Sequence, residues 1–420
     1  MHRRALGILL VTLALAGCGG GQSGGYRAEP QPLPPPVAEV PQQPAPAPPP
    51  TGRVALLVPL TGPLADRGQA MAQAAQLVLG VPDAPALDVK DTAGTPDGAA
   101  AAAQAALAGG DGLILGPLTS AETAAVAPIA RTAGVAVLAF TNDPAQAQPG
   151  VWTLGITPGQ QVRRLVAAAQ GQGKTQLAAL LPDSDFGRAM GEALTQAAAA
   201  AELPPPDIHV HAAGMAAVTE AVKALSDFAN RGAPVYAQIK AARELGTPEG
   251  RRQAQDLAKT PIPPPAFNAL LLADTHDDLA EIADLLPYYD VDRAQVQIMG
   301  PALWASPGSG SGTVPGAWYA APDPAARAGL EQAYAAQYNT PPPPLADLAY
   351  DAALIARVLA TQGGFTVGAL TQPNGFAGVD GWFALLPDGQ VRRGLAVFRI
   401  ERGGPQMVEP APQSAGSPGT

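Results

Sequence analysis

The chain has 420 residues, a formal net charge of -10 and only 14% charged residues, against about 25% in ordinary globular domains. An acidic chain without basic clusters excludes recognition of nucleic acid, or of anionic lipid, by charge. Its single cysteine, Cys18, excludes an intrachain disulfide, so stability must come from packing, and the length is enough for two hydrophobic cores.

The chain opens with a basic start (Met1, His2, Arg3, Arg4) and an apolar run over 5–16. That run is too short for an ordinary spanning helix and has the layout of a secretory signal. The stretch Leu15-Ala16-Gly17-Cys18 resembles the lipobox of bacterial lipoproteins. The resemblance implies cleavage after residue 17, diacylation of Cys18 and a membrane anchor; a plain signal peptide with an incidental cysteine is the alternative. Residues 19–25 are glycine-rich, and 30–50 are dense in proline, which favours extended polyproline II. At ~3.1 Å per residue the proline segment reaches roughly 65 Å. Residues 18–52 therefore read as a stalk, or as an inert disordered linker. No later stretch has the unbroken apolar length needed to span a bilayer.

From residue 54 the pattern alternates. The apolar run Val54-Ala55-Leu56-Leu57-Val58 predicts a buried parallel strand, followed by the loop Leu60-Thr61-Gly62-Pro63 and a helix over 65–79 closed by Gly80. Strands are predicted at 87–90, 113–115 and 135–140. The helices between them begin at Thr95-Pro96 and at Thr119-Ser120-Ala121-Glu122, the second with capping-box spacing. The pattern restarts after Gly173, with strands at 176–181, 208–211, 269–272 and 296–299 and helices at 186–201, 215–230 and 278–286. Residues 233–259 are charged and read as a helical insertion, and 306–312 as a flexible loop. Helices are predicted at 324–338 and 345–360. The end reads as a β-hairpin: a strand over 381–386, an Asp388-Gly389 turn, and a return strand over 395–400. Repeated β-α-β order predicts an α/β fold of two doubly wound parallel-sheet lobes joined by a hinge, with a C-terminal β-hairpin. The expected boundaries are 53–156 plus 317–360 for lobe 1, 157–316 plus 361–403 for lobe 2, and a disordered tail over 404–420.

Several stretches together carry a family resemblance. Val54 to Ala65 followed by Gly68-Gln69, Asp91-Thr92 with Pro96, Leu115-Gly116-Pro117-Leu118-Thr119-Ser120, Val137-Leu138-Ala139-Phe140-Thr141-Asn142, Asp185-Phe186-Gly187 and Leu348-Ala349-Tyr350-Asp351 stand in order over about residues 53–403. In this they resemble type I periplasmic binding proteins of the branched-chain amino-acid-binding kind. A narrower resemblance, carried by Leu138-Ala139-Phe140-Thr141-Asn142-Asp143 and by Phe376-Ala377-Gly378-Val379-Asp380-Gly381-Trp382-Phe383, is to the lipoproteins known as penicillin-binding protein activators. In the best-known of these a large helical-repeat domain precedes the fold, whereas here a proline-rich stretch does.

In a doubly wound sheet the ligand crevice lies beyond the C-terminal strand ends, where helix N-termini present free N–H groups. Thr119, Ser120, Thr141 and Asn142 fall there. The resemblance implies that Ser120 and groups after the fourth strand hold a ligand carboxylate and that second-lobe groups hold its ammonium. Phe186 stands where a tyrosine is common, and Asp278 is the candidate acidic partner for an amine. Each has a plainer reading: Thr119 and Ser120 as a helix cap, Thr141 and Asn142 as turn residues, Asp278 as a helix-start residue that suits the dipole.

No signal points to an enzyme, a metal or a cofactor. His209 and His211 share one face of a strand without a third ligand at metal spacing. Asp185-Phe186-Gly187 copies a kinase tripeptide without its companion loops, and Gly308-Ser309-Gly310-Ser311-Gly312 lacks dinucleotide-site spacing. The expected function is that of a non-enzymatic cell-envelope lipoprotein facing the periplasm. It would regulate a penicillin-binding protein or, alternatively, bind amino acids for an ABC importer. Gly19, in place of the aspartate that signals inner-membrane retention, favours the outer membrane.

Overall fold

The computed structural model describes residues 52–414 and 416; Cys18 and the expected signal and stalk lie outside them. The first lobe is built on β1 (Arg53–Val58), β2 (Ala86–Asp91), β3 (Leu113–Leu115), β4 (Ala136–Ala139) and β5 (Val151–Thr153), all parallel, in the order β2-β1-β3-β4-β5. Between them run α1 (Ala65–Leu79), α2 (Pro96–Ala108) and α3 (Ser120–Ala133). The near-continuous apolar strands β1, β3 and β4 are buried on both faces, as a helix-covered parallel sheet requires. One face packs on α2 and α3 through small residues such as Ala99, Ala103 and Ala130. The other packs on α1 and on α11 (Ala346–Thr361), with Trp152 fully buried between them and the C-terminal strands.

The second lobe uses β6 (Leu177–Pro182), β7 (Asp207–His211), β8 (Ala269–Leu272), β9 (Gln297–Gly300) and β10 (Trp318–Ala321). These are parallel, with β14 (Ala396–Arg399) and β15 (Gln406–Glu409) added antiparallel, in the order β15-β14-β10-β9-β8-β6-β7. Its faces are covered by α4 (Pro158–Gly171) and α5 (Asp185–Ala200) on one side and by α6 (Met215–Leu225) and α9 (His276–Tyr288) on the other. The charged insertion forms a helical pair, α7 (Ala233–Glu244) and α8 (Pro248–Leu257), with its own small apolar contact at Ile239, Ala242 and Ala254.

Three segments cross between the lobes. Residues 154–157 lead from β5 to α4, and residues 322–323 lead from β10 to α10 (Pro324–Tyr338), which packs on α1. Gly394 and Leu395 lead from β13 (Val391–Arg393) to β14. Two buried arginines fasten the crossings. Arg393 donates to the Leu154 carbonyl at 2.9 Å, and Arg164 donates to the Leu395 carbonyl at 2.8 Å while its guanidinium pairs with Glu409 at 2.9 Å.

The expected allocation of residues changes at both lobes. Residues 318–321 belong to the second sheet, not the first lobe, because β10 is hydrogen-bonded between β9 and β14. Conversely β11 (Phe376–Gly378), β12 (Gly381–Leu385) and β13 form a three-stranded sheet on the first lobe, since Phe376, Phe383, Leu385 and Val391 bury in its core. The Asp388-Gly389 turn is present, but the return strand is Val391–Arg393, with Leu385 opposite Val391. The apolar run over 395–400 instead crosses to the second sheet. The expected disordered tail over 404–420 contains β15, which pairs with β14 and anchors Arg164 through Glu409 and the Pro410 carbonyl.

Candidate functional site

At the C-terminal ends of the first-lobe strands, Asp91 fixes the loop after β1. Its carboxylate accepts from the Leu60, Thr61 and Ala93 amides and from the Thr61 hydroxyl at 2.7 Å. Burial opposes its charge, but these donors together hold the carboxyl below its ordinary range. Thr119 caps α3: its hydroxyl accepts from the Glu122 amide, and the Glu122 carboxylate accepts from the Thr119 amide at 2.9 Å. This is the capping box read from the sequence, and it uses the Thr119 hydroxyl.

The neighbouring group differs from expectation. The Ser120 hydroxyl donates to Asp143 Oδ2 at 2.5 Å, and the Asp143 amide donates to Thr141 Oγ1 at 3.1 Å. Asp143 also accepts from the Ala145 amide and Gln146 Nε2. The Ser120 hydroxyl bond is the largest influence and holds Asp143 below the usual carboxylate range against burial. Ser120 and Thr141 are thus brought together, but around a resident carboxylate. Asn142 is exposed, and its side chain makes no hydrogen bond among the described residues. Gly155 lies under this turn: a Cβ there would stand 2.7 Å from the Asn142 nitrogen and the Thr141 carbonyl, so only glycine lets the crossing segment approach so closely.

On the second lobe, Phe186 is half-buried in the first turn of α5, where it packs on the core behind it. Asp278 is exposed in the first turn of α9, as its plainer helix-start reading requires. No hydrogen bond or ion pair joins either to the Ser120 group among the described residues.

A second cluster at these strand ends escapes the sequence reading. His211, at the end of β7, places Nε2 3.3 Å from the Asp274 carboxylate just after β8, and both side chains are buried. The Asp274 hydrogen bond, the largest cause, raises the His211 pKa against burial. The Trp304 indole donates to the Asp274 carbonyl at 2.9 Å. Gly300 makes room for that ring; a Cβ there would overlap it at 2.3 Å. Among the described residues no group of three or more His, Cys, Asp or Glu side chains is placed to hold a metal ion.

Two parallel α/β lobes, joined by three crossings and carrying capped helix N-termini at their strand ends, define a hinged binding-protein architecture. The sequence profile of the periplasmic binding protein family matches residues 51–405, and the chain belongs to that family. A search of curated protein sequences finds no match. Solved structures share the fold. A Rhodospirillum rubrum protein described as a branched-chain amino acid ABC transporter is 20% identical, with a TM-score of 0.65, covering 85% of this chain and all of that one. The C-domain of Haemophilus influenzae LpoA, described as a regulator of PBP1A, is 16% identical with a TM-score of 0.60 over 85% of this chain and all of the domain. Against full-length Haemophilus influenzae LpoA the identity is 16% and the TM-score 0.61; 85% of this chain is covered, but only 59% of that protein.

Proposed function

We propose that the protein is a lipid-anchored cell-envelope protein of the outer membrane, held through Cys18 and the 18–52 stalk. Its two-lobed head regulates a penicillin-binding protein in peptidoglycan synthesis by surface contact and catalyses nothing itself. The observation that carries this reading is the Asp143 carboxylate on the Ser120 hydroxyl. It stands where the family resemblance would seat a ligand carboxylate. A second carboxylate brought to ~4 Å would be repelled by about 4 kcal/mol at an effective dielectric of ~20. That is about three decades in affinity. Phe186 supplies no hydroxyl, and the Thr119 hydroxyl already donates to the Glu122 carboxylate. The fold is shared with the LpoA C-domain and with the Rhodospirillum rubrum protein alike, so the choice rests on Asp143.

The test is binding of the full-length lipoprotein to purified penicillin-binding proteins, alongside a thermal-shift screen of amino acids, amides and peptidoglycan fragments. Saturable binding to a synthase with no shift from amino acids supports the proposal; the reverse pattern overturns it. The importer-receptor reading rests on the likeness to the Rhodospirillum rubrum protein and requires a ligand that stabilises the closed lobes by mass action.

A further inference from the structure

We propose that a cavity of about 620 Å³ beside the lobe crossings is a second binding site, for a small molecule bearing one phosphate or carboxylate group. It adjoins the Ser120 group at Pro144, but Ser120, Thr141 and Asp143 do not line it, and it does not depend on the regulator reading. Its walls come from both lobes: the first turns of α4 and one face of α5 from the second, Pro144 and the β12–β13 turn from the first.

Two Arg-Arg pairs in the sequence divide their labour here. In Arg163-Arg164 and Arg392-Arg393, Arg164 and Arg393 turn inward, engaged by carbonyls of the crossings and by the Glu409 and Asp380 carboxylates. Arg163 and Arg392 turn the other way and line the cavity. Alternation along β13 dictates this for Arg392, which lies between buried Val391 and buried Arg393. Neither cavity arginine has a carboxylate within ion-pair distance, nor a hydrogen-bond acceptor, among the described residues. Although solvent reaches Arg163, the surrounding protein first and the Arg392 charge second lower its pKa. Two guanidiniums that face one cavity, neither in an ion pair among the described residues, can each bind a phosphate or carboxylate in a fork.

Glu192 and Asp388 also line the cavity without pairing to either arginine. Their charges disfavour a polyanion and select a ligand with a single anionic group. Because Arg163 moves with one lobe and Arg392 with the other, occupancy would favour one lobe angle over others.

The test is calorimetry on the full-length lipoprotein in detergent, with inorganic phosphate in one arm and acetate in the other, at fixed chloride. The wild type should bind in at least one arm, and the arm that binds names the group. R163Q and R392Q should each weaken binding about tenfold or more, while E192Q should tighten it. Thermal melting without added anion checks that the variants fold; E192Q gives a readout in the opposite direction from any general damage. No binding in either arm, or equal binding by wild type and R163Q/R392Q, overturns the proposal.

Discussion

Replacing Asp351 by Asn removes a buried charge whose cost can be worked from its surroundings. Asp351 lies on α11, 1% exposed, and accepts from the Val379 amide at 2.7 Å. Its carboxylate presses on the backbone of Gly378, where a Cβ would stand only 2.3 Å from Oδ2. Burial first and the Asp380 carboxylate second, against the opposing charge of Arg393, push its pKa from 3.8 up to about 7. Between those values the unfolded chain has released the proton and the folded chain retains it, so stability falls as pH rises. About three pKa units correspond to about 4 kcal/mol, lost between ~pH 4 and ~pH 7. Asparagine has the shape of the neutral acid and no charge to lose. D351N should match the wild type near ~pH 4 and exceed it by up to about 4 kcal/mol near ~pH 8. Urea unfolding across that range, followed by the fluorescence of Trp152 and Trp382 in the first lobe, reads the difference. Parallel pH profiles, or a variant less stable than wild type at the upper end, would refute the reasoning.

Other substitutions test the remaining elements. R164M should destabilise by about 3–5 kcal/mol, because it strips the Leu395 and Pro410 carbonyls and Glu409 of a buried partner; denaturant midpoints measure it, and E409Q, which leaves Arg164 its two carbonyls and an amide oxygen, should cost less. H211Q should flatten a pH dependence: a raised histidine pKa contributes stability that is complete below 6.5 and is lost as pH rises through the folded value. Melting temperatures over that range should therefore fall less steeply for the variant than for the wild type, the remaining slope being that of Asp351. T119A removes the α3 cap and should cost ~1 kcal/mol, without altering binding to a synthase.

Much of the fold was legible because its signals are local. The runs at 54–58 and 113–115, the Thr119 to Glu122 box and the glycine stop at Gly134 all coincide with elements of the structure. What escaped is weakly marked or tertiary. β5 (Val151-Trp152-Thr153) and β10 (Trp318-Tyr319-Ala320-Ala321) are as short as β3 and β8 but lack the aliphatic run that marks those strands. Helix α4 did carry its own signature, Thr157-Pro158 with Gln160 completing a capping box. The return strand of the hairpin was misplaced because Val391-Arg392-Arg393 looks like a solvated stretch. Arg393 is in fact buried, stacked over Phe383 on the neighbouring strand and bound to the Leu154 carbonyl, the second a contact across more than 200 residues that no local pattern encodes. The site divides in the same way. The cap at Thr119 follows from spacing, whereas the Asp143 carboxylate joins Ser120 only because β3 and β4 are neighbours in the sheet. In sequence, Asp143 before Pro144 reads as nothing more than a turn.

The most direct test is the rate of glycan-strand polymerisation by the penicillin-binding proteins of the same cell, with and without the full-length lipoprotein. A changed rate for one synthase, indifferent to added amino acids, is the expected result. An unchanged rate with every synthase would contradict a regulator that acts by surface contact.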